Sequence, residues 1–195
     1  VIDMCSGFGY LSMFLSELLP KDKVARIVLV DLQWPRPNVP AHANQINADH
    51  INDPRWPIRL TTSRANLKVP SDRRGLAKAF LSHGAPSVLL GVHLCGTLSL
   101  RAIDLFNDCP GFCFLALKPC CLPDILFAKR GDVFGSTTTH VFPAASVTTA
   151  GKWKRGRMVG AGREELETKY NRWVGHLSLC VDCYADEGEG GEGES

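Results

Sequence analysis

Asp3, Cys5, Gly7 and Gly9 stand at alternate positions in the opening stretch VIDMCSGFGYLS, and Asp31 stands 22 residues beyond Gly9. An acid closing an apolar run, then small residues, then a helical stripe, is the pattern of a nucleoside-cofactor site. Glycines let the backbone approach a ligand closely, and the free N–H groups at a helix start face it. An acid at the end of a second strand can accept both ribose hydroxyls of an adenosine, and Asp31 lies at about the distance expected for it.

Two cofactor classes use this geometry. Nicotinamide dinucleotides call for G-x-G-x-x-G; Gly7 and Gly9 fit the first two positions, but the third is Ser12. S-adenosylmethionine sites instead show an acid on the first strand followed by alternating small residues, which Asp3, Cys5, Gly7 and Gly9 match. Cys5 replaces the usual glycine. A carboxylate ending a buried strand needs a partner, and the ammonium group of S-adenosylmethionine would supply one. The plain structural alternative is an Asp that caps the loop.

Further along, "VHLCGTLS" and "LALKPCC" each place reactive side chains just after an apolar run. Methyl transfer is an in-line displacement, so alignment supplies most of the rate. A hydroxyl or ring-nitrogen acceptor also needs its proton taken. His93 is the candidate base near neutral pH, and Lys118 is a second, a role that requires its burial. A histidine that shapes the pocket without titrating is the competing reading.

These residues need a scaffold that brings strand ends together. Apolar runs predict strands at Val1–Met4, Ile27–Val30 (closed by Asp31), Ile58–Thr62, Ser87–Val92 and Phe112–Leu117, the last stopped by Pro119. Apolar residues at 11, 14, 15, 18 and 19 predict a helix over Leu11–Leu19, ended by Pro20. Pro40 can open a short helix reaching about Ile51. Ser71 can cap a helix from Asp72 to about Ser82, and another helix follows His93. Residues 123–163 read as irregular, Glu164–Val174 as a helix and His176–Val181 as a last strand. Alternating strands and helices predict an α/β fold of the Rossmann-like class I methyltransferase type: a mostly parallel sheet with helices on both faces. One domain is expected over residues 1–184, followed by an acidic, glycine-rich, disordered tail over 185–195.

The stretches "CSGFGYLS", "VHLCGTLS" and "LALKPCC" resemble a methyltransferase family with an H-L-C-G and a P-C-C signature at these two strand ends. That family includes the acceptor-stem tRNA 2′-O-methyltransferases and the methyltransferase domain of the glutathione-S-transferase C-terminal-domain-containing protein. The resemblance spans about residues 1–122. It implies that Asp3, Cys5, Gly7 and Gly9 hold the methionine end of S-adenosylmethionine, and that Asp31, with Leu32 beside it, holds the ribose. Thr62 and Ser63 stand near the adenine side, where the family commonly has an acid; Asp49 would serve if the third strand were Ile46–Ala48. His93, Leu94, Pro119 and Cys120 would line the transfer site. The implied reaction is methylation of RNA, tRNA-like, at a ribose 2′-O or a base nitrogen.

Two other readings stay open. Cytosine-5 RNA methyltransferases also place cysteines after these strands, one of them the nucleophile, which would make Cys120 or Cys121 catalytic. A degenerate fold could keep the pocket and serve as an RNA- or protein-binding platform. The nicotinamide oxidoreductase is disfavoured by Ser12.

The eight cysteines are too sparse for a disulfide scaffold, so an intracellular, cytoplasmic or nuclear protein is expected. Cys180 and Cys183 have metal-ligand spacing, and Cys109 with Cys113 could complete a zinc set, but one C-x-x-C is weak and no metal is expected. Net charge is +2, and without the five acids of the tail it is +7. Between 152 and 163 five basic residues surround Trp153 with no acid, which suits RNA phosphates and base stacking; Arg55 to Lys78 form a second basic stretch, read as solvated surface. No run is long enough to cross a membrane. The chain opens on a motif with no initiator Met, so a preceding segment is expected.

Overall fold

The apolar runs of the sequence become the parallel strands β1 (Ile2–Met4), β2 (Ile27–Asp31), β3 (Leu60–Arg64), β4 (Ser87–Cys95) and β5 (Phe112–Cys121). They form one sheet in the order β3-β2-β1-β4-β5, each neighbouring pair parallel. The computed structural model describes residues 1–36, 44–81, 84–136, 140–148, 152–154, 157–159 and 162–182. The tail 185–195, Cys183, Pro40 and the side chain of Trp153 lie outside what is described.

Helices cover both faces. In β2, Ile27 and Leu29 pack with Met13, Leu15 and Leu19 of the first helical segment, while Val28 and Val30 pack on the opposite side. The first face carries α1 (Tyr10–Leu18) and the segment 46–58; the second carries α2 (Pro70–Leu81) and α3 (Leu98–Asn107). Burying one such Leu or Ile side chain contributes about 1.5–3 kcal/mol, so the two faces together fix the sheet. The order and the two-sided cover are those of a Rossmann-like α/β sheet.

Only part of the predicted apolar stripe of α1 meets the sheet, through Leu15 and Leu19. Ser12 and Ser16 are fully buried, while Phe14 and Leu18 are exposed. The serines are tolerated inside because each is bonded: Ser16 Oγ donates to the Ile58 carbonyl and accepts from the Ile58 amide.

Several boundaries differ from the sequence expectation. The third strand lies two residues later, at Leu60–Arg64, and Ile46–Ala48 is not a strand. No helix runs through residues 44–51; the Asp49 amide donates to Asn47 Oδ1, a local turn that competes with helix formation. β5 continues past Pro119 to Cys121, because it is the sheet edge, where a missing N–H costs no ladder bond. β4 likewise runs past Val92 to Cys95, through a bulge.

The described residues between 123 and 163 form regular elements rather than an irregular stretch. They hold α4 (Ile125–Lys129), the antiparallel pair β6 (Val133–Ser136) and β7 (His140–Pro143), and a second pair, β8 (Lys152–Lys154) and β9 (Arg157–Val159). His176–Val181 is not a strand. Helix α5 spans Arg163–Leu179, and Trp173, Leu177 and Cys180, at i, i+4 and i+7, are all buried against α3, β6 and β7. Among the described residues no helix is long and apolar enough to cross a membrane.

Candidate active site

The tips of β1, β2 and β4 converge on the glycine loop. Asp3 sits in β1 between Met4 and Ile2, opposite Leu29 and Leu90 in register, and is only 2% exposed. Burial pushes its carboxyl up to about 6 from 3.8; Ser12 Oγ opposes this by donating to Asp3 Oδ2 at 2.7 Å, and Asp31 adds repulsion. Such a carboxylate is short of positive partners, and a cation entering beside it would favour the ionised form.

Asp31 closes β2 and holds the loop. Its Oδ2 accepts the Gly7 amide at 3.0 Å, and its Oδ1 accepts the Gln33 amide at 2.9 Å. Each carboxylate oxygen keeps a lone pair for a hydroxyl donor. Leu32, half exposed, follows it.

The loop is built for close approach. Gly7 has φ +54°, with open space where a side chain would point; Gly9 has φ +83° and packs so tightly that a Cβ would lie 2.4 Å from Leu29 Cδ2. The loop is pinned from outside by two contacts the sequence did not signal: Trp34 Nε1 donates to Ser6 Oγ, and His50 Nε2 lies 2.8 Å from the Phe8 carbonyl. The first-turn amides of α1 open beyond it, with no acceptor inside the helix.

Cys5 and His93 are the described non-glycine residues with positive φ, +56° and +62°. Cys5 follows β1 and His93 lies near the end of the neighbouring strand β4; outliers of this kind cluster at functional sites. Burial pushes the Cys5 thiol up to about 12, with Asp31, Cys95 and Asp3 adding to the shift, so these side chains share one neighbourhood.

His93 is the bulge residue of β4: Val92 pairs with Lys118 and Leu94 with Pro119, leaving His93 between them, exposed. Leu94 is fully buried in the core, so only its backbone borders the crevice, and its carbonyl is taken by Ser99 Oγ. Lys118 is exposed and lacks the burial that a lysine base calls for. Pro119 is held from behind by the Tyr170 hydroxyl, which donates to its carbonyl. Cys120 and Cys121 follow, both exposed. Burial and the neighbouring thiols of Cys95 and Cys121 push Cys120 up to about 12, and burial also raises Cys121.

On β3, Thr62 and Ser63 lie within the strand, opposite Leu29 and Val30; the residue opposite Asp31 is Arg64, whose guanidinium donates to the Trp34 carbonyl. Asp49 is exposed and engaged with Asn47. A groove of about 540 Å³ beside β3 is lined by Ile51, Asn52, Asp53, Trp56 and Thr62, and does not include Asp3 or Asp31. The cysteines of the sequence's zinc set are dispersed: Cys113 donates to the Ser87 carbonyl at the start of β5, while Cys180 donates to the His140 carbonyl.

A family model described as a methyltransferase domain matches residues 1–126. The chain belongs to that methyltransferase family. Searches of curated proteins and of solved structures found no match.

The match covers β1 through β5 and ends within α4, so the methyltransferase domain is the part that carries every crevice residue named above. The hairpins and α5 lie beyond it. Methyltransferase domains generally draw their methyl group from S-adenosylmethionine. The residues present fit such a molecule: a buried, cation-poor carboxylate in Asp3, a glycine loop open at Gly7, and a second carboxylate at the next strand tip.

Proposed function

We propose that this methyltransferase domain is an active, S-adenosylmethionine-dependent enzyme whose acceptor is RNA, at a ribose 2′-O or a base nitrogen. The observation that carries the cofactor is Asp3, buried at a strand tip with its carboxyl raised to about 6 and with Asp31 near enough to repel it. An α-ammonium group is the complement of that carboxylate. Asp31 would accept the ribose hydroxyls while anchoring Gly7, and Leu32 would cover an adenine face. S-adenosylmethionine, when bound, supplies an electrophilic methyl group; the protein's part is to align the acceptor and take its proton.

His93 would take that proton. It is exposed and held on a bulge at the tip of β4. The RNA acceptor rests on the basic run from Lys152 to Arg163 and on the resemblance of the H-L-C-G and P-C-C stretches to those of tRNA 2′-O-methyltransferases.

The cytosine-5 reading gains one observation: Cys95 and Cys120, from the two strand ends, have sulfurs 3.2 Å apart. It is opposed by the raised Cys120 and Cys121 thiols, since a nucleophile there must be a thiolate near neutral pH.

Tritiated methyl transfer to total RNA tests the proposal. Wild type transfers label, and His93→Ala loses roughly 10²–10⁴-fold, the usual contribution of a general base. A covalent RNA adduct trapped with wild type and absent in Cys120→Ala would transfer the assignment to the cytosine-5 reading. Cofactor binding without label transfer to any RNA would leave a binding platform.

A further inference from the structure

Three cysteines stand at the ends of two neighbouring parallel strands, β4 and β5. The register that pairs Val92 with Lys118 slips by one residue at Leu94 and Pro119 and is restored at Cys95, which pairs with Cys121 on β5; His93, at φ +62°, lies within the irregularity. The sulfurs of Cys95 and Cys120 are 3.2 Å apart, those of Cys120 and Cys121 3.4 Å, and those of Cys121 and Cys95 3.7 Å. All three residues are exposed, and all three ligand atoms lie within 4.8 Å of one another. Both strands are hydrogen-bonded to each other up to these residues, and the Tyr170 hydroxyl fixes the Pro119 carbonyl just before the pair.

We propose that Cys95, Cys120 and Cys121 form a three-thiolate site for a thiophilic d¹⁰ cation of the Zn²⁺ type, with a fourth position open to solvent. Zn–S bonds of about 2.3 Å in a tetrahedron place the sulfurs about 3.8 Å apart, so each edge of the observed triangle needs to lengthen by about 0.6 Å or less. A disulfide instead requires about 2.05 Å, so the closest pair would have to approach by more than 1 Å, roughly twice the metal's adjustment. Cysteine sulfur selects such cations over hard ones. Three protein ligands plus one open position is the arrangement of a catalytic rather than a closed structural zinc site. The ligand set differs from the one the C-x-x-C spacing suggested, and it draws on none of Cys109, Cys113, Cys180 or Cys183.

Binding releases the thiol protons to solvent and forms three metal–sulfur bonds, with no change of oxidation state. The thiols stand beside His93 and Pro119 at the strand ends the methyltransferase reading uses, but their assignment rests on no contact to a nucleoside cofactor, so its test is independent of that reading.

The test uses the full chain, reduced and held anaerobically. Titration with Co²⁺ is expected to give one equivalent with a sulfur-to-metal charge-transfer band and tetrahedral d–d bands, displaced by Zn²⁺. Cys95→Ser, Cys120→Ser and Cys121→Ser should each weaken Zn²⁺ by more than the roughly 10–100-fold that changes outside the ligand shell cost, while Cys113→Ser leaves it unchanged. Alkylation mapping by mass spectrometry on wild type needs no variant: Zn²⁺ should protect Cys95, Cys120 and Cys121 together. No thiolate spectrum in the reduced chain, or protection falling on other cysteines, overturns the proposal. The cofactor assays stand or fall separately.

Discussion

The Ser12 hydroxyl donates at 2.7 Å to Asp3 Oδ2, tying the first turn of α1 to the tip of β1 inside the core. The bond acts on a carboxyl whose protonation is set first by burial. Burial raises Asp3 to about 6, and the hydroxyl holds it lower than burial alone would.

Stability follows from that shift. The folded chain binds the Asp3 proton more tightly than the unfolded chain does, whose carboxyl stays near 3.8. This contribution therefore favours folding most below about pH 4, declines as pH rises to about 6, and stays lower above. Asp3→Asn should remove the decline and leave the chain roughly 1–3 kcal/mol more stable than wild type at pH 7, offset by any loss of the Ser12 bond. Thermal melts of both proteins from pH 4 to about 8 check this. Parallel curves for the two would contradict it.

Ligand binding should run the other way. If the cofactor's ammonium pairs with ionised Asp3, affinity for S-adenosylhomocysteine falls by up to about tenfold per pH unit below about pH 6. In Asp3→Asn affinity is low and that slope is gone. Calorimetry across pH 5–8 reads both quantities, the range set by the shifted carboxyl.

Gly9 and Gly7 should differ on substitution. At Gly9 a Cβ would meet Leu29 Cδ2 at 2.4 Å and Ile51 Cδ1 at 2.9 Å, both side chains buried, in addition to the positive φ. Gly9→Ala should cost about 2–5 kcal/mol, the sum of overpacking and backbone strain. At Gly7 nothing lies within 4 Å, so Gly7→Ala carries only the strain, about 1–2 kcal/mol. Urea denaturation separates the two; equal losses would place the cost in the backbone alone.

His93 offers a way to part backbone from imidazole. Its φ of +62° suits glycine, so His93→Gly should be about 1–2 kcal/mol more stable than His93→Ala. If the imidazole is the base, both variants lose methyl transfer alike. Activity restored in the glycine variant would assign the residue to shaping the turn.

Much of the sheet was legible because its strands are continuous apolar runs: IVLV buries every residue, and its acid lands at the strand tip as the spacing requires. The loop was legible through Gly7 and Gly9. Ser12 was not: as the third position of a dinucleotide motif it looked like a defect, whereas in three dimensions it is the partner of Asp3. Trp34 and its bond to Ser6 were hidden in a proline-rich stretch with no period. The end of α5 is not legible in the sequence, because the apolar residues after 174 alternate as a strand's do; only their packing against α3 and β7 shows the helical spacing. The thiol cluster depends on the register of β4 against β5, which the apolar runs alone leave open.

The central claim is that Asp3 and Asp31 clasp the two ends of one nucleoside sulfonium. Calorimetry of the wild-type chain with S-adenosylhomocysteine and with NAD addresses it most directly. One equivalent of S-adenosylhomocysteine should bind, Asp31→Asn should weaken it by about tenfold or more through lost charge-assisted ribose bonds, and NAD should give no heat. Tight NAD binding with no response to S-adenosylhomocysteine would contradict the account.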